Sequence, residues 1–308
     1  MLNSSTYFRI SVTSKCNLSC HFCHREGNLK NDRVELTPEE IQFACKVAYG
    51  FGFKKFKITG GEPTERTDLC RIISLLSELC LPDLSMITNG TNLDPMAQSL
   101  WDAGLRRLNV TVNTLDPNRF RYFEPSGKVS VSSIVKGIEK AQGVGFRNLK
   151  VNFVFFNEES YTDLKLLLEF VREKQLTLVI LPVIGGISYS LDDMYKIIQS
   201  FNIISEERLS DNEGLLKRKI NLKSGASILL RLDELSEKKP YIFCDQCVSK
   251  SKCREGIFPI RLSSSGELIP CMANANHHIN VRRILREQNA QGMEEAFRKI
   301  RMWETGKK

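Results

Sequence analysis

Apolar positions along the first two-thirds of the chain follow two alternating rhythms. Short β-branched runs stand at 7–13 (YFRISVT), 54–59 (KKFKIT), 84–88 (LSMIT), 105–113 (LRRLNVTVN), 148–156 (NLKVNFVFF) and 176–183 (LTLVILPV), and each predicts a strand. Helical periodicity fills the gaps at 38–52, 67–80, 94–103, 131–144 and 161–174. Thr37 before Pro38 and two glutamates marks a helix start, while Gly104 and Gly145 mark helix ends. Strands alternating with helices predict βα units around a parallel sheet. Six units are too few to close an eight-stranded barrel, so the expected fold is α/β, a partial (β/α)6 TIM barrel. Beyond about residue 190 the alternation stops. Residues 190–201 read as helix, a polar and less regular stretch follows, IRLSSSGELIPC reads as two strands around a Ser-Gly turn, and 281–303 reads as helical. The expected division is a barrel domain over 1–215 and a small C-terminal α+β domain over 216–308.

Composition narrows the class. With 44 basic and 36 acidic residues, 42% hydrophobic content and a net charge of +8, the chain has an ordinary globular composition. No apolar run approaches the roughly 20 residues of a membrane helix, and the start lacks the charged and apolar regions of a secretory signal. The expectation is a cytoplasmic protein with no membrane partner. The charge excess suits an anionic substrate but is too diffuse for nucleic-acid binding.

Ten cysteines add candidate chemistry. Cys45, Cys70 and Cys80 are isolated on helical segments and read as small hydrophobes. Cys16, Cys20 and Cys23 form C-x3-C-x2-C on a loop after the first strand; Cys244, Cys247 and Cys253 form C-x2-C-x5-C, with Cys271 beyond. Three close thiolates can hold three corners of a 4Fe–4S cluster and leave one iron open. Two or three of them with His21 or His24 can instead hold zinc.

The order of motifs bears on that choice. Gly60-Gly61-Glu62-Pro63 follows the second strand, Thr88-Asn89-Gly90 follows the third, and aromatic Phe22 precedes Cys23. Together these resemble the radical S-adenosylmethionine superfamily. The resemblance implies that Cys16, Cys20 and Cys23 hold a 4Fe–4S cluster whose open iron takes the amino and carboxylate groups of S-adenosylmethionine. Reductive cleavage then yields a 5′-deoxyadenosyl radical that abstracts hydrogen from a substrate. It further implies contacts to S-adenosylmethionine from Phe22, Gly60, Gly61, Glu62, Pro63 and Asn89. Glycine allows close backbone approach, and Glu62 can accept a hydrogen bond from the ammonium. A reducing partner of flavodoxin or ferredoxin type is expected.

Across nearly the whole chain the resemblance narrows to the MoaA-like GTP 3′,8-cyclases. RISVTSKCN, NVTVNTLDPNRF, LKVNFVF and FC-x2-C followed by RLSSSGELIPC look like that family's segments. This implies a nucleotide such as GTP as substrate, held by Arg9, Lys57, Thr88, Lys150 and Arg261, and a second 4Fe–4S cluster in a twitch-like auxiliary domain. Thr111, Asn113 and Leu181 fall where the family places further cofactor contacts. There are departures. Thr111, Asn113, Leu181 and Lys57 stand where serine, aspartate, methionine and arginine are usual, and one of the family's paired arginines aligns with Pro259. About ten extra residues, Cys253 among them, precede the RLSSSG strand, and the chain ends ETGKK rather than in Gly-Gly. Cys253 supplies a fourth thiolate that can close the auxiliary cluster with Cys244, Cys247 and Cys271. The C-x2-C-x5-C spacing also resembles radical enzymes that modify peptides, which leaves a peptide or small metabolite as the alternative substrate. A zinc-stabilised binding protein is a third reading, and it has no use for GGEP or TNG.

Overall fold

The structure is a computed structural model and describes residues 7–27, 34–182, 191–210, 215–235, 242–248, 259–272 and 274–305. Six parallel strands are paired in chain order: β1 (Tyr7–Ser11), β2 (Lys55–Thr59), β3 (Leu84–Thr88), β4 (Arg107–Thr111), β5 (Asn148–Phe155) and β6 (Thr177–Pro182). The connections carry α1 (Pro38–Gly50), α2 (Leu69–Glu78), α3 (Leu93–Asp102), α5 (Val131–Val144) and α6 (Ser160–Lys174), each within two residues of its predicted limits. Thr37 caps α1 through a reciprocal box: Glu40 N–H donates to Thr37 Oγ1 at 3.2 Å, and Thr37 N–H donates to Glu40 Oε2 at 2.8 Å. A short helix, α4 (Pro117–Phe120), was not predicted. Asp116 caps it, accepting from Asn118 N–H at 2.7 Å and Arg119 N–H at 3.2 Å. Helix α7 (Leu191–Gln199) follows β6 at the predicted place, whereas Gly185 and Gly186 lie outside the described residues.

The flank after α7 was under-read, whereas the two strands expected around the Ser-Gly turn are present at the other edge. The polar stretch after α7 contains β7 (Ile203–Ser210), β8 (Leu215–Leu222) and β9 (Ser227–Leu235), an antiparallel meander whose last strand pairs parallel with β6. Charged side chains obscured it because they pair across strands, as Lys219 Nζ does with Glu207 Oε1 at 3.0 Å. At the other edge the Ser-Gly turn, with Gly266 at φ 90°, joins β10 (Ile260–Leu262) to β11 (Glu267–Ile269), and β12 (Ile279–Asn280) follows. Strand β10 lies parallel to β1, with Arg9 in register with Arg261. The described strands therefore form one open sheet of twelve, from β12 at one edge to β7 at the other. Residue 215, the expected domain limit, is the first residue of β8, which pairs with β7 and β9.

Helices α8 (Arg282–Arg286) and α9 (Ala290–Thr305) occupy the terminal region. Helix α9 inserts Phe297 against Phe8, Phe53 and Phe51, with ring centroids at 5.8, 5.1 and 5.3 Å. This joins the end of the chain to its first strand. Cys45 is buried on α1 and Cys70 half-buried on α2, but Cys80 is exposed, against expectation, because α2 ends before it and it takes up a turn at φ 48°. Among the described residues no helix is long and apolar enough to cross a membrane. Truncating Phe297, which is fully buried, removes the centre of this aromatic cluster. Phe297→Ala is expected to cost about 3–5 kcal/mol, read as a lower urea midpoint; a shift under about 1 kcal/mol would show that α9 is not integral to the core.

Candidate functional site

The site is built where β1, β2 and β3 end. Gly61 N–H donates to Thr13 O at 2.8 Å, and Glu62 N–H donates to Lys15 O at 2.7 Å. A Cβ on Gly61 would lie 2.1 Å from Lys15 O, and one on Gly60 would lie 2.6 Å from Thr13 O. These glycines are thus required for the turn to pack against the loop that leads into Cys16, independently of any ligand. Asn17 binds the third turn: its Nδ2 donates to Thr91 Oγ1 at 2.8 Å, and its Oδ1 accepts from Asn89 Nδ2 at 2.8 Å. Phe22 anchors the far side of the cysteine loop against Phe156 and Phe123, at 5.1 and 6.1 Å between centroids.

Glu62 joins the turns from within. Its Oε1 accepts from Thr64 N–H at 3.0 Å, Thr64 Oγ1 at 2.7 Å and Thr88 Oγ1 at 2.7 Å, and its Oε2 accepts from Asn89 N–H at 2.6 Å. The residue is 1% exposed. Burial pushes its pKa up, with these hydrogen bonds acting against the rise. Thr88 commits its hydroxyl proton here, and Pro63 opens the turn behind the site rather than lining it.

Above these turns lies a cavity of about 260 Å3. Its walls include Arg9 from β1, Thr59 from β2, Ile87 and Thr88 from β3, Thr111 from β4, Asn152 and Val154 from β5, Leu181 from β6 and Arg261 from β10. Side chains from seven strands line one hollow only if the sheet curls, so the open sheet is a partial barrel with its site at the C-terminal strand ends. Cys16, Cys20, Cys23, Phe22, Gly60, Gly61, Glu62, Asn89 and Asn113 complete the predicted part of the lining. Asn113 is held by Val154 N–H, which donates to its Oδ1 at 3.1 Å.

A family model described as the radical SAM superfamily matches residues 10–171, more than half of the chain. The chain belongs to the radical SAM superfamily. It is similar to a probable GTP 3′,8-cyclase of Methanocaldococcus jannaschii, 35% identical over 91% of this chain and 89% of that protein. A probable GTP 3′,8-cyclase of Sulfurisphaera tokodaii is 32% identical over 90% of this chain and 84% of its own. Among solved structures, Streptococcus suis SuiB bound to S-adenosylmethionine is similar in fold, at TM-score 0.64 and 17% identity over 93% of this chain, which spans 66% of the SuiB chain.

Membership implies S-adenosylmethionine and a 4Fe–4S cluster, and the cysteine loop of this radical SAM protein fits a cationic centre. Burial raises the pKa of Cys16, and burial with the neighbouring Cys23 and Cys16 raises that of Cys20 to about 12. Cys16 and Cys20 thus favour the thiolate only beside a positive charge, which iron would supply. Among the described residues no three metal-ligating side chains converge on one point. Cys16, Cys20 and Cys23 would hold the cluster, which would supply the electron for cleavage of the sulfonium.

The predicted cations divide by reach. Arg9 and Arg261 line the cavity, but Lys57 and Lys150 do not. Each lysine stands two residues before a lining residue on its strand, Thr59 or Asn152; Lys57 is in register with Arg9, but its ammonium sits over the Tyr7 ring, 5.5 Å from the centroid, and not in the cavity. Cys244, Cys247 and Cys271 are half-buried away from the cavity, and Cys253 lies outside the described residues. Asn152, Thr59 and Glu26 line the cavity without having been predicted, and His24, named from the sequence only as an alternative zinc ligand, lines it too. Period-two spacing from Lys57 and Lys150 points to Thr59 and Asn152; the loop position of Glu26 carries no such signal. For Glu62, replacing the carboxylate by an amide sets a donor against donors. Glu62→Gln is expected to cost about 1–3 kcal/mol of stability and to weaken S-adenosylmethionine binding, followed by thermal melting and calorimetry. Wild-type values in both would remove Glu62 from its linking role.

Proposed function

We propose that this radical SAM enzyme cleaves S-adenosylmethionine reductively and abstracts hydrogen from an anionic nucleotide of the GTP type. The observation that carries the reading is the arginine pair. Arg9 and Arg261, in register on adjacent strands, face the same cavity as the three cysteines and the GGEP turn. Guanidiniums suit phosphate oxygens in charge and geometry. Lys57 and Lys150 extend the positive region behind the cavity wall, and Thr88 completes the proposed substrate set. Thr111, Asn113, Asn89 and Leu181 would contact S-adenosylmethionine. The likeness to probable GTP 3′,8-cyclases supports the nucleotide over the alternative, a peptide or small metabolite.

Residues 216–308 are proposed to form an auxiliary-cluster domain, with Cys244, Cys247, Cys253 and Cys271 as ligands of a second 4Fe–4S cluster. Support comes from packing between the segments beside these cysteines. The Phe243 and His277 rings stack at 3.7 Å, and His278 Nε2 hydrogen-bonds to Cys271 O at 3.1 Å. A cytoplasmic location and a flavodoxin- or ferredoxin-like donor belong to the same proposal.

Anaerobic reconstitution with a reductant, S-adenosylmethionine and candidate nucleotides tests the function. The expected product is 5′-deoxyadenosine, increased by GTP, from protein holding about eight iron and eight sulfide. Arg9→Ala and Arg261→Ala should each weaken GTP binding roughly ten- to a hundredfold, about 1.5–3 kcal/mol, while uncoupled cleavage persists. Unchanged affinity in both would turn the assignment towards the peptide or metabolite reading.

Lys150 provides a pH test. Burial, with Arg107, Lys57 and Lys217 nearby and Asp83 opposing them, lowers its pKa to about 8. A bound polyanion restores the charged form, so binding should take up a proton between pH 8 and about 10. Affinity should therefore fall as pH rises through that window. Calorimetry in buffers of different ionisation heat would detect the uptake, and Lys150→Met should abolish it.

A further inference from the structure

We propose that Glu26 is a built-in counter-anion that occupies the arginine pair until a polyphosphate displaces it, and so selects for highly charged substrates. The proposal rests on the reading above, that Arg9 and Arg261 receive the substrate's phosphates. Glu26 lies just beyond the cysteine loop and is 8% exposed. Its Oε1 accepts from Arg9 Nη2 and from Thr59 Oγ1, the latter at 3.2 Å, and its Oε2 stands 3.4 Å from Arg261 Nε. All four residues line the cavity. A carboxylate thus already holds the position proposed for phosphate oxygens.

The backbone marks this as an imposed arrangement. Arg25 and Glu26 both have positive φ, 49° and 53°, although neither is glycine. Consecutive left-handed residues with side chains are sparsely populated and persist where contacts over-determine them. The contacts of Glu26 are those just named, together with its N–H donating to His24 Nδ1 at 3.1 Å. Burial alone would push the Glu26 pKa up. Arg9, His24 and Arg261 outweigh it and hold the carboxyl below its usual value, so it remains an anion at neutral pH.

Displacement separates ligands by charge. A weakly charged anion offers the arginines no more than the carboxylate already gives, and it pays the repulsion of a like charge at short range. A polyphosphate brings several charges and chelates both guanidiniums, so it prevails. Occupation of the site then removes the side-chain contacts of Glu26 with Arg9, Thr59 and Arg261, whereas the bonds from Arg25 N–H to Cys23 Sγ at 3.4 Å and from Glu26 N–H to His24 Nδ1 do not depend on the arginines.

The test uses the reconstituted holoprotein and calorimetry with inorganic tripolyphosphate and orthophosphate. Wild-type protein should bind tripolyphosphate and leave orthophosphate unbound. Glu26→Gln and Glu26→Ala should tighten tripolyphosphate at least tenfold and make orthophosphate binding measurable, whereas Glu26→Asp, which keeps the charge, should remain within threefold of wild type. Iron content and circular dichroism identify variants that have folded, and two neutral substitutions protect against the failure of one. Equal or weaker tripolyphosphate binding in folded neutral variants would overturn the counter-anion and make Glu26 a support for the arginines. The underlying reading is tested separately by Arg9→Ala in the Glu26→Gln background, which should lose the gained affinity. Wild-type binding that ignores both arginines would sink the reading itself, and absence of binding to wild type and neutral variants alike would overturn both.

Discussion

The backbone contact between the Gly60–Gly61 turn and the Thr13–Lys15 strand end is the constraint from which the site follows. At the Cβ distances found there, no side chain fits between the two segments. Two N–H groups of the turn therefore reach the carbonyls on either side of Ser14, and Cys16 begins from a fixed point. Glu62 then turns a local contact into a three-strand one by taking donors from the turn after β3. A ligand shell built on loops is held by main-chain geometry at its entry, and by a buried carboxylate and aromatic packing beyond it.

Cations within the barrel are sorted by whether they reach the cavity. Its wall carries hydroxyls, amides and two arginines, while Lys57 and Lys150 stay behind it. Concentrating cations in a partly desolvated interior is unfavourable by itself, as the depressed pKa of Lys150 records. Function and stability pull against each other here, and Glu26 and Asp83 relieve part of the opposition. The resulting surface is cationic without its arginines being left bare.

Much of this was legible from residues alone. The six βα units are readable because parallel strands buried on both faces and helices buried on one leave different rhythms. The cysteine loop, GGEP and TNG are contiguous motifs, and their order along the chain is their order across the sheet. What escaped reading depended on partners distant in sequence. The meander β7–β9 looks irregular because its polar residues answer one another across strands rather than along them. Lys57 and Lys150 were placed on the right strands, but whether they reach the cavity depends on where each strand meets its wall. Glu26 follows no periodicity, and its role arises only when β1 and β10 bring two arginines to it.

That last pairing has a consequence for how the molecule is made. Strands β1 to β6 add in the order of synthesis, each beside its predecessor, so most of the sheet can assemble as the ribosome advances. Strand β10 and helix α9 break this order, returning from the far end of the chain to cover β1. Until they emerge, the first strand has one neighbour, Phe8 lacks Phe297, and Arg9 lacks its counterpart. A nascent chain thus carries the cysteine loop and the GGEP turn well before Arg9 meets Arg261, so the elements proposed to serve S-adenosylmethionine are complete before those proposed to define what it acts upon.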